Sequence, residues 1–307
     1  MEPVFAIGIF LFGLAFGSFL NVCIYRLPQG LSIVLPRSAC PSCDQQIRPY
    51  DNIPVLSWLL LRGRCRDCQA RISPRYMIVE LLTGALFLAC YAQFGISLAA
   101  LKYCVFGFLL LGLIFTDAET HLLPDKMTLT GLVLGILFSI LVPVNDLASR
   151  FLPLLVSHRA ASNISWHWLS LLDSLLGVAI GSAFIYGAGA IYLRARGVEG
   201  MGFGDVKLMA MVGAFLGTKL TMFTLFTGSI AGSIFGLSTV LSIWIKRTRR
   251  RMIRNHESGT QAGRRAWVSA GIALRRYQIP FGVFLGSMAM LALFCGDRFF
   301  RWYWGLL

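Results

Sequence analysis

Hydrophobic positions along the chain gather into long runs separated by short polar or basic stretches. About eight of these runs approach the roughly 20 residues that cross a ~30 Å hydrocarbon core as a helix. They cover approximately residues 3–25, 76–94, 98–116, 127–143, 169–193, 206–217, 221–245 and 281–301. The sixth is short and the seventh follows it closely, so that junction is the least sharply marked. The pattern predicts an all-α integral membrane protein of about eight transmembrane helices, without internal repeats or low-complexity tracts. The first run starts directly after Glu2, with no basic segment ahead of it, and its "AFGSFLNV" resembles a signal-peptide cleavage site. Arg26 and an arginine-rich loop follow at once and would stop transfer, so the run reads as a retained helix with its amino terminus outside.

Composition agrees: of 307 residues 56% are hydrophobic and 14% charged, with mean hydropathy +0.69, far more apolar than a soluble domain. A net charge of +14 invites nucleic acid as a partner, but its placement argues against it. Residues 26–75 carry Arg26, Arg37, Arg48, Arg62, Arg64, Arg66, Arg71 and Arg75, and residues 246–276 carry Lys246 and nine arginines. With eight helices both loops fall on one side, which the positive-inside rule makes the cytoplasm. The turns at 116–126 and 194–205 share that side, and 144–168 is external. The "KRTRRRMIR" run reads as a topogenic anchor against anionic membrane lipid. The chain thus divides into a first transmembrane helix (1–25), a cytoplasmic loop domain (26–75) and a polytopic remainder (76–307).

The loop changes the picture chemically. Cys40 and Cys43 are separated by two residues, as are Cys65 and Cys68, with residues 44–64 between the pairs. Two C-x2-C turns at this distance are close to a zinc-ribbon spacing, in which four thiolates complete a tetrahedron. Two disulfides would need an oxidising compartment, which the cytoplasmic placement denies. So small a loop has little core of its own, and structural zinc would supply much of its folding free energy. Cys23, Cys90, Cys104 and Cys295 stand singly in apolar runs, as packing residues do.

Carboxylates at the membrane boundary are the second chemical signal. "LGLIFTDAETHLLPDKMTL" places Asp117 at the end of the third helix and Asp125 just before the fourth, and "GMGFGDVKL" places Asp205 at the start of the sixth. Asp117 and Asp205 share a face at comparable depth, where an ionisable group is costly and usually serves a cavity. A converging pair would share a proton, one carboxyl acting as general acid and the other activating water, as in aspartic proteases. Gly200, Gly202 and Gly204 fit no phosphate-binding spacing; they would let the backbone unwind against an extended substrate. The plainer alternative is that Asp205 caps one helix and Asp117 ends another. Glu119, His121 and Asp125 crowd the same turn. Glu80, one turn inside the second helix, would pair with an arginine such as Arg75 or Arg71, in a structural or a cofactor-binding role.

In order along the chain, "GSFLNVCIYRLP" (17–28), the cysteine tetrad with "DNIPVLSWLLLRGRC" (51–65), "SPRYMIVELLTG" (73–84), "DAETHLLPD" (117–125), "GMGFGDVK" (200–207) and "IPFG" (279–282) resemble the signature blocks of bacterial type IV prepilin peptidases. The resemblance implies an intramembrane-type aspartic endopeptidase of the bacterial inner membrane, spanning residues 76–307. Such an enzyme removes the basic leader of type IV prepilins or type II secretion pseudopilins at the cytoplasmic face, cutting after a glycine. It then N-methylates the new amino terminus with S-adenosylmethionine. By motif, Asp117 and Asp205 correspond to the catalytic pair and Asp125 does not, while Cys40, Cys43, Cys65 and Cys68 match the tetrad. Glu80 is a candidate for the methyl-donor site, for which no glycine-rich strand-to-helix motif is visible. Segments 144–168 and 246–278 are longer than usual in the family, and Met77 and Val283 stand where proline is common. Two other classes fit some of the same residues: a proton- or cation-coupled transporter using both aspartates at broken helices, and a scaffold whose zinc loop recruits partners. Carboxylates at the membrane edge, beside a zinc loop, weigh against the transporter.

Overall fold

The computed structural model describes residues 2–144, 146, 165–197, 200, 202–255, 258–276 and 280–304. Among them the protein is almost wholly helical; the only pairings of strand type are the isolated bridges Ala39–Gln46 and Arg64–Arg71. The helices are α1 (Pro3–Arg26), a short α2 (Leu56–Leu60), α3 (Arg75–Phe94), α4 (Leu98–Thr120), α5 (Asp125–Leu141), α6 (Trp166–Arg196), α7 (Phe203–Asn255), α8 (Gly259–Arg276) and α9 (Phe281–Trp304). Six of the described helices are long and apolar enough to cross a membrane: α1, α3, α4, α6, α7 and α9. The apolar runs numbered about eight; the difference lies in α5, only 17 residues long, and in the sixth and seventh runs, which both belong to α7.

Gly217 explains that merger. Its φ of 75° and ψ of −176° break the helix inside α7, a backbone state in which a side chain would be strained. Around this break the chain reverses. Before it, Met211 packs on Gly131 and Phe215 on Gly135, so the first segment runs parallel to α5; after it, Leu220 meets Gly296 and Leu285 meets Gly228, antiparallel to α9. The reversal frees the first amides of the second segment, and the Lys219 N–H donates to Asp146 Oδ2 at 2.5 Å. Asp146 is itself tied through its N–H to Asp173 Oδ2 on α6 at 3.1 Å. Segment 147–164, most of the long external connection expected from the sequence, lies outside the described residues.

Without water to exclude, helices in a bilayer associate where small residues let backbones approach. The α1–α3 contact does so: a Cβ on Gly13 would meet Gly84 Cα at 2.8 Å, and one on Gly17 would meet Glu80 Cα at 2.6 Å. The α6–α7 contact repeats the device with Gly177 against Gly213. Between these pairs lies a core in which Phe106 of α4 stacks on Phe215 of α7, ring centroids 4.7 Å apart, while Phe5, Ile7, Leu11 and Phe12 of α1 remain exposed, as lipid-facing residues do. At the far end of α7, α8 packs alongside: Trp244 donates its indole N–H to the Gly263 carbonyl at 2.9 Å and Arg247 donates to the Ser269 carbonyl at 2.6 Å.

Candidate active site

Asp117 lies in the last turn of α4. His121 then closes the helix in a left-handed conformation, its N–H donating to the Asp117 carbonyl, and Pro124 precedes α5. Asp205 lies in the first turn of α7, its N–H donating to the Gly202 carbonyl at 3.1 Å. Both aspartates are buried, 5% and 7% exposed, an expensive position for two acids. Leu123 joins them: a Cβ on Gly204 would meet it at 3.0 Å, and one on Gly282 would meet both Leu123 and Asp117 Oδ2, the latter at 2.9 Å. Asp117 and Asp205 thus lie at helix ends that meet around Leu123. Gly202 is different: its chain neighbours aside, nothing among the described residues comes closer to its ideal Cβ than 3.9 Å, and the second neighbour is Asp205 Oδ2 at 4.0 Å. Among the described residues, the approach to Asp205 over that glycine is open.

Two features of this corner had no role in the sequence reading. Asp117 Oδ2 accepts the Val283 N–H at 2.9 Å, with the Gly282 N–H also directed at it. These are unpaired first-turn amides of α9, a natural seat for negative charge. The "IPFG" block thus reaches the site through its backbone, and Ile279 within it lies outside the described residues. Asp125, by contrast, is exposed, and its Oδ1 accepts from Lys207 Nζ at 2.6 Å. That ion pair ties the α4–α5 turn to the start of α7 from outside, leaving Asp125 apart from the buried pair. Arg75 and Glu119 form a second tie, between α3 and the end of α4.

The cysteine loop folds as two like knuckles. In the first, the Cys40 N–H donates to Gln45 and the Asp44 N–H returns to Cys40; in the second, Cys65 and Gln69 repeat this with Ala70. Asp44 and Gln69 are both left-handed. The four Sγ atoms lie within 4.8 Å of one another, and Cys40 and Cys68 are 3.8 Å apart. Zinc–thiolate bonds of about 2.3 Å in a tetrahedron put sulfurs about 3.8 Å apart, so Cys40, Cys43, Cys65 and Cys68 fit zinc. The Ser42 backbone N–H brings the Cys40 thiol down to about 7, toward the thiolate a metal requires. Outside the knuckles, Arg66 grips Asp51 through two hydrogen bonds and holds its carboxyl below the usual range.

Glu80 is buried on α3 but pairs with no arginine: Arg75 is engaged by Glu119, and Glu80 Oε2 accepts the Val55 N–H at 2.7 Å with Ser18 as a further partner. Val55 is left-handed and immediately precedes α2. The carboxylate therefore pins the loop to the α1–α3 pair.

Comparison with known proteins follows this division. Residues 11–94 match the Bacterial Peptidase A24 N-terminal domain, and residues 104–237 match the Type IV leader peptidase family. A "Prepilin leader peptidase/N-methyltransferase" of Aeromonas hydrophila is 33% identical, over 96% of this chain and 92% of its own length. The chain belongs to the type IV leader peptidase family. In this family member the first match takes in most of α1, the cysteine loop and α3, while the second takes in both buried aspartates. Relatives of the same printed name include one from Pseudomonas aeruginosa, 33% identical over 95% of this chain and 91% of its own length. Another, from Myxococcus xanthus, is 38% identical over 78% of this chain and 64% of its own length. No solved structure matches the chain.

Proposed function

We propose that this protein removes the leader peptide of type IV prepilins or pseudopilins by an Asp117–Asp205 dyad at the cytoplasmic face of the bacterial inner membrane, and then N-methylates the new amino terminus. The observation that supports the proteolytic half is the burial of two carboxylates, from α4 and α7, at helix ends that meet around Leu123. The roles follow from their surroundings. Asp117, seated on the amides of Gly282 and Val283, is stabilised as the anion and takes a proton from water. The water oxygen attacks the scissile carbonyl carbon, and Asp205 donates its proton to the carbonyl oxygen. Collapse of the tetrahedral intermediate breaks the C–N bond, the departing nitrogen taking the proton held on Asp117 while one hydroxyl of the intermediate returns a proton to Asp205, which restores both carboxyl groups. An extended substrate strand would approach over Gly202, which has no side chain of its own to obstruct it.

Zinc, held by Cys40, Cys43, Cys65 and Cys68, would close the loop without entering the chemistry. The methylating half rests on family membership and the names of the relatives; among the described residues no glycine-rich strand-to-helix turn marks the place of S-adenosylmethionine. Glu80, engaged by Val55 and Ser18, acts in this reading as a loop anchor. Incubation of purified protein with a prepilin and S-adenosylmethionine carrying a labelled methyl group tests the proposal. Leader loss on a gel followed by label in the mature chain is expected; an intact leader would favour the transporter reading.

A further inference from the structure

Among the described residues, three arginines gathered in one part of the loop have no internal partner. The ion pairs around them use Arg48, Arg66 and Arg75, while the guanidinium groups of Arg62, Arg64 and Arg71 make no hydrogen bond, ion pair or ring contact among the described residues. All three line one cleft of about 400 Å³, together with Trp58 and Ser73. Its floor is rigid: Trp58 Nε1 donates to the Ile72 carbonyl at 3.3 Å, the Ile72 N–H donates to Gly63 at 2.8 Å, and the Gly63 N–H donates to Trp58 at 2.9 Å. Arg64 and Arg71 face each other across a bridge, and at Gly63, with φ of 65°, a Cβ would strike the Trp58 ring at 2.8 Å. The fold thus gathers three like charges around a built pocket without a counter-charge.

The position of the cleft identifies what neutralises them. Ser73 and Pro74 on its rim lead directly into α3, a membrane-spanning helix whose Arg75 is tied to Glu119 near Asp117. The cleft therefore lies at the bilayer surface, on the face that carries the aspartates. The adjoining α2 exposes Leu56, Leu59 and Leu60 at 49%, 54% and 73%, an apolar edge that runs straight into Arg62. Leucines beside arginines at an interface suit acyl chains beside phosphate oxygens, and guanidinium forks match phosphate geometry. A sulfonium-bearing methyl donor would be repelled by the same charges.

We infer that the Arg62–Arg64–Arg71 cleft binds the phosphate of an anionic phospholipid headgroup, with Leu56, Leu59 and Leu60 seated among the acyl chains. The lipid then fixes the zinc loop against the leaflet beside the active site. Native mass spectrometry of the full, detergent-purified chain tests this, titrating phosphatidylglycerol, phosphatidylcholine or inorganic phosphate. Phosphatidylglycerol should bind in preference to phosphatidylcholine and resist displacement by millimolar phosphate. The triple variant Arg62→Gln, Arg64→Gln, Arg71→Gln should lose affinity by on the order of a hundredfold, about fivefold per arginine, with zinc content unchanged as the check on folding. Arg37→Gln, an exposed loop arginine outside the cleft, should bind like the wild type. Leu59→Ser with Leu60→Ser should weaken lipid binding in the same assay. The inference is overturned if the cleft variant binds phosphatidylglycerol undiminished, if both lipids bind alike, or if inorganic phosphate displaces the lipid, which would make the ligand a soluble phosphate compound.

Discussion

Val283 acts on the site through its backbone. Its N–H reaches Asp117 Oδ2 from the first turn of α9. Proline is tolerated in the first turn of a helix, so Val283→Pro removes the donor with little disturbance of α9. A hydrogen bond to a charged group contributes roughly 1.5–3 kcal/mol, and the variant's cleavage rate should fall by about tenfold or more with its thermal stability nearly unchanged. An unaltered rate would show that Asp117 does not depend on that amide. At this scale much was legible: acids at the edge of apolar runs and paired cysteines announce themselves by residue type. The amides under Asp117 were not, because a backbone donor has no sequence signature and the two partners are 166 residues apart. Glu80 shows the opposite limit. Its burial was legible, but its partner, the amide of a left-handed valine, was not, and arginines nearer in sequence were expected in its place.

The helices were legible as elements, since each long apolar run lies largely within one; the junction of the sixth and seventh runs was not. It turns on the torsion angles of Gly217, and on an acid from another element that takes up the freed amide of Lys219. Helix contacts also depend on residues that look featureless in sequence. Gly213 lies 2.2 Å, measured from its ideal Cβ, from the Gly177 backbone. Gly213→Leu should therefore force α6 from α7, costing at least the ~1–3 kcal/mol of an overpacked core. Thermal unfolding in detergent should show the loss, and a wild-type midpoint would contradict this contact. The cysteine loop makes a sharper prediction: about one zinc per chain by elemental analysis, lost in Cys40→Ser or Cys65→Ser. Absence of zinc together with disulfides in the wild type would overturn both the site and its proposed compartment.

For the molecule as a whole, the cysteine loop, the aspartates and the basic end of α7 belong to one membrane face in this account, and the reversal at Gly217 to the other. Labelling of whole cells with an impermeant maleimide checks this: Ser165→Cys, ahead of α6, should react from outside, and Ser258→Cys, ahead of α8, only after lysis. The reverse pattern would invert the topology. The central claim concerns chemistry, and purified Asp117→Asn, Asp205→Asn and Asp125→Asn proteins assayed side by side for leader removal from a prepilin test it most directly. Each of the first two exchanges removes a proton-transfer partner with almost no change of volume, whereas the third alters only the exposed tie to Lys207. The account predicts no detectable cleavage by Asp117→Asn or Asp205→Asn and near-normal cleavage by Asp125→Asn; retained cleavage in either of the first two, or its abolition in the third, would contradict it.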